Sequence, residues 1–360
     1  MTTRPSLPSF YNETRAARKI IVVDLGFLGD SIHLIPALWE IKGHYPQAEV
    51  HTLSAPVGAK VLKLAPCVDR AWTFPLGPQS PAWWRHWDMI RALRRERFDL
   101  AFNFSGADRA IFLTALTGAR WRLAQSGTRD HFWKTWLIGD WVPRRSGDLP
   151  VFEQRRQTLA LAGCELAAPK FDLKLDDAAR AWAEQVIPPR AIHLSINAST
   201  HLKEWPLAHW IALAKTLLAE DSTLHLIATG SAAPREQARL QSLTDSVANN
   251  RLRVLNSLTI PQLAAALARC RLHVGADSGV LHLALALNVP TLSLFRDYAG
   301  WKEWAPRGLN HRHLIVPCPC ANQKNPACAV LDYARCLAEI QPAQVMQLLR
   351  EGTHGTQRKR

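Results

Sequence analysis

The 360-residue sequence lacks several features that fix a protein's class on their own. No apolar run reaches the ~20 residues that a bilayer-spanning helix needs, because charge or proline interrupts each one. The opening residues, MTTRPSLPSFYNETRAARK, hold no apolar core of a secretory signal, which points to the cytoplasm. Seven cysteines, an odd count in a long chain, do not make a secreted disulfide scaffold. There is no G-x-G-x-x-G dinucleotide fingerprint, no Asp-x-Asp pair to hold a divalent cation on a diphosphate, no repeat of solenoid period and no low-complexity tract. What the chain does have is a 48% hydrophobic composition, ample for buried cores, which excludes wholesale disorder. It also has a net charge of +14, which points to an anionic partner: nucleic acid, a phosphorylated sugar or an anionic membrane face. That charge is not polarised, since residues 1–165 and 166–360 each carry 22 basic and 15 acidic side chains.

Short apolar strands alternate with helical patterns, which predicts an α/β fold with parallel sheets covered on both faces. A first series runs through strands at Lys19–Asp24, Glu49–Leu53, Arg70–Phe74 and Phe98–Phe102, with helices at Ser31–Lys42, Val57–Leu64 and Pro81–Arg97. A second series has strands at Ala191–Ser195, Thr223–Ala228, Arg251–Leu255, Leu272–Val274 and Thr291–Leu294, with helices at Pro206–Ala219, Pro234–Leu243 and Val280–Leu287. The reading is two doubly wound, Rossmann-like domains, 1–168 and 191–345, joined by a proline-flanked hinge at 169–190 and followed by a helix end and basic tail at 346–360. Ligands of such sheets bind outside the carboxyl ends of the strands, so the loops after strands carry the interest.

Three loops stand out. Gly26-Phe27-Leu28-Gly29-Asp30 follows the first strand, where Gly26 and Gly29 permit a tight turn and close backbone approach. Asp30 is read there either as a helix N-cap or as a general base. Asp277-Ser278-Gly279 leads into a helix that carries His282. A helix start of small residues suits an anion, and an ordinary capped helix with a core-facing His is the plainer reading. The segment Asn197–Pro206 offers Ser199, Thr200 and Lys203, the last a mobile point charge suited to phosphate, and reads equally as a solvated loop.

Two further segments invite a role. Pro81–Arg97, PAWWRHWDMIRALRRER, places Trp83, Trp87, Ile90 and Arg94 near one helical stripe, with Arg91 and Arg95 away from it. Tryptophan and arginine at this spacing mark an interfacial membrane helix, an acceptor site for phosphorylated sugars, or simply an amphipathic helix covering the sheet. Cys318, Cys320, Cys328 and Cys336 form C-x-C-x7-C-x7-C, four thiols that suit a structural zinc or iron, or else buried reduced thiols. Cys67, Cys164 and Cys270 stand singly in apolar contexts and are assigned to the core.

Taken together, Gly29-Asp30 with Leu34-Ile35-Pro36-Ala37-Leu38, Lys203-Glu204-Trp205-Pro206 with Trp210, and Gly275-Ala276-Asp277-Ser278-Gly279 with His282 resemble the lipopolysaccharide heptosyltransferases, glycosyltransferase family 9. The resemblance spans most of residues 19–345. It implies a GT-B fold, two Rossmann-like domains facing each other across a cleft, and an inverting, metal-independent transfer of heptose from ADP-heptose to the inner core of lipopolysaccharide. By position it makes Asp30 the catalytic base, Lys203 a ligand of the donor phosphate, and Asp277, Ser278, Gly279 and His282 the donor-sugar and pyrophosphate loop. Glu236 stands where the family has an acidic residue on the adenosine. Some members carry a similar C-terminal cysteine cluster, and related autotransporter heptosyltransferases bind iron there. The resemblance implies that the transfer itself requires no cofactor.

The expected partners are therefore ADP-heptose, a lipid A-core acceptor and the anionic inner face of the cytoplasmic membrane, with Arg91, Arg94 and Arg95 on the acceptor side. A GT-B enzyme using another nucleotide sugar, with a glycan or protein acceptor, is the nearest alternative. A non-catalytic nucleotide-binding relative and a nucleic-acid-binding protein are the others; against the last, the charge is spread over both halves and no nucleic-acid module is visible.

Overall fold

A computed structural model describes residues 9–75, 86–125, 132–143, 149–321, 328 and 333–355. The chain divides into two units, Met1–Lys174 and Leu175–Arg360. The first grows from β1 (Lys19–Asp24), whose run KIIVVD is buried from its second residue onward, as a strand covered on both faces must be. Around it stand β2 (Glu49–Ser54), β3 (Arg70–Thr73), β4 (Leu100–Asn103), β5 (Trp121–Gln125) and β6 (Asp140–Val142), in the order β3-β2-β1-β4-β5-β6. All pairings are parallel. The helices are α1 (Phe10–Thr14), α2 (Leu28–His44), α3 (Pro56–Leu62), α4 (Trp87–Arg95), α5 (Asp108–Leu116), α6 (Phe132–Leu137) and α7 (Val151–Leu161).

The second unit repeats the plan. Its helices are α8 (Asp177–Val186), α9 (Leu207–Glu220), α10 (Pro234–Val247), α11 (Ile260–Arg269), α12 (Gly279–Ala286), α13 (Trp301–Trp304), α14 (Arg335–Glu339) and α15 (Pro342–Gly355). Its strands β7 (Ala191–Ser195), β8 (His225–Gly230), β9 (Leu252–Asn256), β10 (Leu272–Ala276), β11 (Thr291–Phe295) and β12 (His311–Ile315) stand in the order β12-β11-β10-β7-β8-β9, again all parallel. Both sheets thus reverse direction of growth once, between β1 and β4 and between β7 and β10, and at such a switch point adjacent loops part to leave a crevice. Trp205 and Trp210 are fully buried in the core of the second unit, and the Trp205 indole N–H donates to the Ile340 carbonyl at 2.9 Å, tying the chain between α14 and α15 to the sheet. No helix among the described residues is long and apolar enough to cross a membrane.

The structure corrects some boundaries. The helix expected to begin at Ser31 begins at Leu28, so Asp30 lies in its first turn rather than before it. Of the helix expected over 81–97, residues 86–97 are described and only Trp87–Arg95 is helical; Trp83 lies outside the described residues. Its buried stripe is Ile90 and Leu93; Trp87 is 52% exposed, because the apolar stripe turns the other way. Arg91, Arg94 and Arg95 are all exposed.

The sheet of the second unit encloses two imidazoles. His193 on β7 and His273 on β10 stack at 5.0 Å with their Nδ1 atoms 2.9 Å apart; the other His193 nitrogen meets Thr229 Oγ1 at 2.9 Å, while His273 Nε2 is buried without a hydrogen-bond partner. Gly275 makes room for the pair, since a Cβ there would lie 2.6 Å from His273 Nε2. Burial pulls His193 down to about 3, and burial, reinforced by His193 and His282, holds His273 well below the ordinary value. An unfolded imidazole takes up its proton near pH ~6.5, so the folded state binds fewer protons below that pH. Stability is thus full well above pH ~6.5 and falls as the pH drops through that value toward 3, by at most about 3 kcal/mol for the two rings between pH 6.5 and 5. Denaturant unfolding at those two pH values is expected to show this loss, and a His193→Gln/His273→Gln double variant to flatten it; equal slopes for both proteins would refute the assignment.

Candidate active site

At the switch point of the first sheet, β1 ends in Asp24, a carboxylate only 2% exposed. Its Oδ1 accepts the Gly26 N–H at 2.9 Å and its Oδ2 pairs with Arg155 Nη2 of α7 at 2.7 Å. Burial raises the Asp24 pKa, against the pull of Arg155 and with Asp30 adding repulsion. Asp30, in the first turn of α2, folds back so that Oδ2 accepts the Phe27 N–H at 2.9 Å, which satisfies an orphan donor at the helix start. Gly26 permits this close fold: a Cβ there would lie 2.4 Å from the Asp30 Cβ. Phe27 itself is 80% exposed. Across the switch point, buried Asn103 at the end of β4 accepts the Ser105 and Gly106 N–H groups and donates to Thr114, fixing the neighbouring loop.

In the second unit the loops after β7 and β10 meet through charge. Lys203 Nζ donates to Asp277 Oδ2 at 2.7 Å, the Tyr298 hydroxyl donates to the same oxygen at 3.1 Å, and His282 Nε2 lies 3.8 Å from Oδ1. Burial alone would raise the Asp277 pKa, but His282 and Lys203 outweigh it and hold the carboxyl at about 2. Tyr298 is pushed well up, by burial and then by the adjoining carboxylate. Ser278 is the N-cap of α12, and its hydroxyl lies 3.4 Å from that of Ser195. The first N–H groups of α12 have no carbonyl of their own helix to reach, which makes the turn at Gly279 a donor surface for an anion. Lys203 is held in place by its neighbour: buried Glu204 accepts the Ala198 N–H at 3.1 Å and pairs with Arg235 and Arg239 of α10. Arg239 also donates to Asn197 and to the Ile196 and Trp205 carbonyls, so one knot of charge clamps the loop that carries Lys203.

Ser199 and Thr200 lie exposed on the same loop. Glu236, in the first turn of α10, accepts the Ser231 N–H at 2.8 Å and so closes the loop after β8. Cys318, Cys320 and Cys328 gather their sulfurs within 4.8 Å of one another, the Cys318–Cys320 and Cys320–Cys328 separations being 3.0 and 3.8 Å. Cys336 contacts Cys318 but is not part of that trio. Burial raises and thiol hydrogen bonds lower the Cys318 pKa, leaving it below its ordinary value, while Cys320 is pushed up to about 11. Cys67, Cys164 and Cys270 are buried singly. The cysteine segment also touches the Asp277 cluster indirectly, because Asp297 Oδ2 accepts the Cys318 N–H at 2.8 Å and Tyr298 follows it in sequence.

The sequence reading passed over Asp24, Arg155, Tyr298 and the Glu204–Arg235–Arg239 knot. An aspartate closing an apolar strand was the available signal for the first; Arg155 carried none, since an arginine inside a helix reads as solvated. Tyr298 carried none.

Two doubly wound parallel sheets in one chain, each with a charged cluster beside its switch point, are the architecture of the GT-B glycosyltransferases. Residues 86–334 match the family model of glycosyltransferase family 9 (heptosyltransferase), and the chain belongs to that family. It is a glycosyltransferase of the heptosyltransferase type. It is 29% identical over 328 residues to lipopolysaccharide heptosyltransferase 1 of Pseudomonas aeruginosa, covering 84% of this chain and 85% of the relative. Its fold is similar to that of the E. coli heptosyltransferase WaaC with ADP-2-deoxy-2-fluoro heptose, with a TM-score of 0.71, 19% identity and coverage of 93% and 99%. It is also similar to the bacterial iron-containing dodecameric glycosyltransferase TibC from enterotoxigenic E. coli, with a TM-score of 0.55, 12% identity and coverage of 94% and 77%.

Gly26→Ala is expected to destabilise the protein by about 1–3 kcal/mol, since the new methyl must displace the first turn of α2. Gly43→Ala on the same helix meets nothing within 4 Å and is expected to stabilise it by about 0.5–1 kcal/mol, the helix propensity difference. Chemical denaturation of the two variants checks the contrast; equal effects would show that the Asp30 turn does not depend on Gly26.

Proposed function

We propose that this protein is an inverting, metal-independent heptosyltransferase that moves heptose from ADP-heptose to a hydroxyl of the lipopolysaccharide inner core, with Asp30 as general base. The observation that carries the reading, beside family membership, is the Lys203–Asp277–Tyr298–His282 cluster at the start of α12. It gathers a cation and helix N–H groups where a diphosphate leaving group needs them. In the reaction, the acceptor oxygen forms a bond to the anomeric carbon as its proton passes to an Asp30 carboxylate oxygen. The bond from that carbon to the β-phosphate oxygen breaks, and its electron pair leaves with ADP. Lys203 and the N–H groups around Ser278 and Gly279 stabilise the growing charge, which is the role of preorganised donors. Lys203 exchanges the Asp277 carboxylate for phosphate, and Ser199, Thr200 and His282 add donors from the two loops. Glu236 holds the adenosine.

The exposed arginines of α4 supply an electrostatic contact with phosphorylated acceptor sugars or with the anionic inner face of the cytoplasmic membrane, where such an acceptor resides. The thiols are proposed as a structural metal site, zinc or iron. A tetrahedral zinc with Zn–S bonds of ~2.3 Å sets its sulfurs about 3.8 Å apart; Cys320 and Cys328 stand at that separation, Cys318 and Cys320, at 3.0 Å, would have to part, and Cys336 adjoins Cys318 as a fourth donor. The metal would fold the loop and takes no part in transfer.

A panel of ADP-, UDP- and GDP-sugars, assayed with heptose-deficient lipopolysaccharide in anionic vesicles and with EDTA present, tests the transfer. ADP release from ADP-heptose is expected to require acceptor, to fall at least ~100-fold in Asp30→Ala, within the range of general acid–base catalysis, and to fall when Arg91, Arg94 and Arg95 are replaced by Gln. Release from another donor would move the donor assignment; full turnover in Asp30→Ala would remove the base. Metal analysis of protein purified under reducing conditions is expected to find about one zinc or iron per chain, the content of one four-thiolate site, lost in Cys320→Ser. Metal-free protein would reduce the cluster to buried thiols.

A further inference from the structure

The adjacent arginines of α7 do different work. Arg156 is buried against Glu40 of α2, at 2.7 Å, with Glu153 on its other side at 2.6 Å and the Ala167 carbonyl closing the set. That knot joins α7 to α2. Arg155, also buried, points instead to the start of α2: it pairs with Asp24 at 2.7 Å, donates to the peptide carbonyl of Asp30, and keeps Nη2 3.6 Å from Asp30 Oδ1. We propose that Arg155 is a positioning residue for the Asp30 carboxylate and that Asp24 is the counter-charge that keeps the guanidinium from binding that carboxylate outright. The inference rests on the reading of Asp30 as the base.

The geometry separates holding from quenching. Asp30 is fixed through its own carbonyl by Arg155 and through Oδ2 by the Phe27 N–H. Oδ1 is left beside a positive charge at 3.6 Å, beyond hydrogen-bond length, so it keeps a lone pair for an incoming proton. A bidentate guanidinium would occupy both oxygens and make a weaker base. Asp24 prevents this by taking the close contact itself. The charged and titratable groups on the elements that pack here are Lys19 and Asp24 on β1, Asp30, His33, Glu40, Lys42 and His44 on α2, and Glu153, Arg155 and Arg156 on α7. Lys19 pairs with Glu96, Lys42 with Asp69, and His44 Nδ1 meets the Glu40 carbonyl, all away from the start of α2. Glu40, Glu153 and Arg156 close on one another, and His33 stacks on Phe152 at 6.0 Å. One cation thus serves two carboxylates, and Asp24 feels both Arg155 and Asp30. A purely structural role for Arg155 would duplicate what Arg156 already does on the next residue.

The test compares Arg155→Gln, Arg155→Lys, Asp24→Asn and Asp30→Asn in the full chain, reading kcat, the donor KM and the pH profile of kcat/KM with saturating acceptor. Arg155→Gln is expected to lower kcat about 10–100-fold, the scale of a displaced catalytic group, to leave the donor KM within about twofold because uniform donor binding is untouched, and to move the acid limb up by about one pH unit as the carboxylates lose their cation. Asp24→Asn, which frees Arg155 to close on Asp30, is expected to move the acid limb the opposite way, and Arg155→Lys to recover part of the rate. An acid limb unmoved in both Arg155→Gln and Asp24→Asn, while Asp30→Asn abolishes turnover, would overturn the positioning role and leave the base standing. Wild-type turnover in Asp30→Asn would remove the base and this inference with it. Should Arg155→Gln fail to fold, the near-isosteric Asp24→Asn decides the question alone, and an unmoved acid limb there overturns it.

Discussion

An ion taken out of water costs several kcal/mol unless another charge answers it. Asp24, Glu40, Arg155, Arg156, Glu204 and Asp277 are all less than a tenth exposed, and each is answered. Most of these pairs lie where strands end, beside the first switch point and in the loops after β7 and β10; the Glu40–Arg156 pair lies farther down the α2–α7 seam. The sheets themselves are held by apolar burial, and removal of one partner from such a pair would leave an uncompensated buried charge, a loss of about 3–5 kcal/mol. The candidate active-site loops are therefore set by electrostatics on a hydrophobic frame. That division lets the loops hold charge in fixed places without disturbing the cores.

Most of the frame was legible because buried parallel strands write themselves as apolar runs. KIIVVD and AIHLS were located to the residue. Edge strands β3 and β9 were found to within a residue, as Arg70–Phe74 and Arg251–Leu255. Others were missed: WRLAQ at β5, DWV at β6 and HRHLI at β12 mix charge with apolar residues, and nothing in their pattern separates them from loops. The N-terminus of α2 was placed too late for a related reason. Its first residues, Leu28-Gly29-Asp30, contain a poor helix former, and an aspartate reads more readily as the cap than as the third residue reaching back.

The site was legible in its loops and illegible in its supports. Asp30, Lys203 and Asp277 lie in segments whose order and spacing mark the family, and their segments were found. Arg155 and Tyr298 reach these carboxylates from elements distant in sequence, and a single chain gives no sign that α7 lies over the start of α2 or that the residue after β11's turn reaches Asp277. An arginine inside a helix reads as solvated by default; only tertiary packing shows it to be inside. The four cysteines were found by proximity in sequence, and the structure gathers three of them with the fourth alongside.

Asp297 and Tyr298 tie two features of the second unit to one point of backbone. One side chain holds the backbone of Cys318 while the next holds the carboxylate of Asp277. A single peptide unit joins the two residues, so their Cα atoms stand ~3.8 Å apart. A shift of that backbone therefore bears on both hydrogen bonds at once.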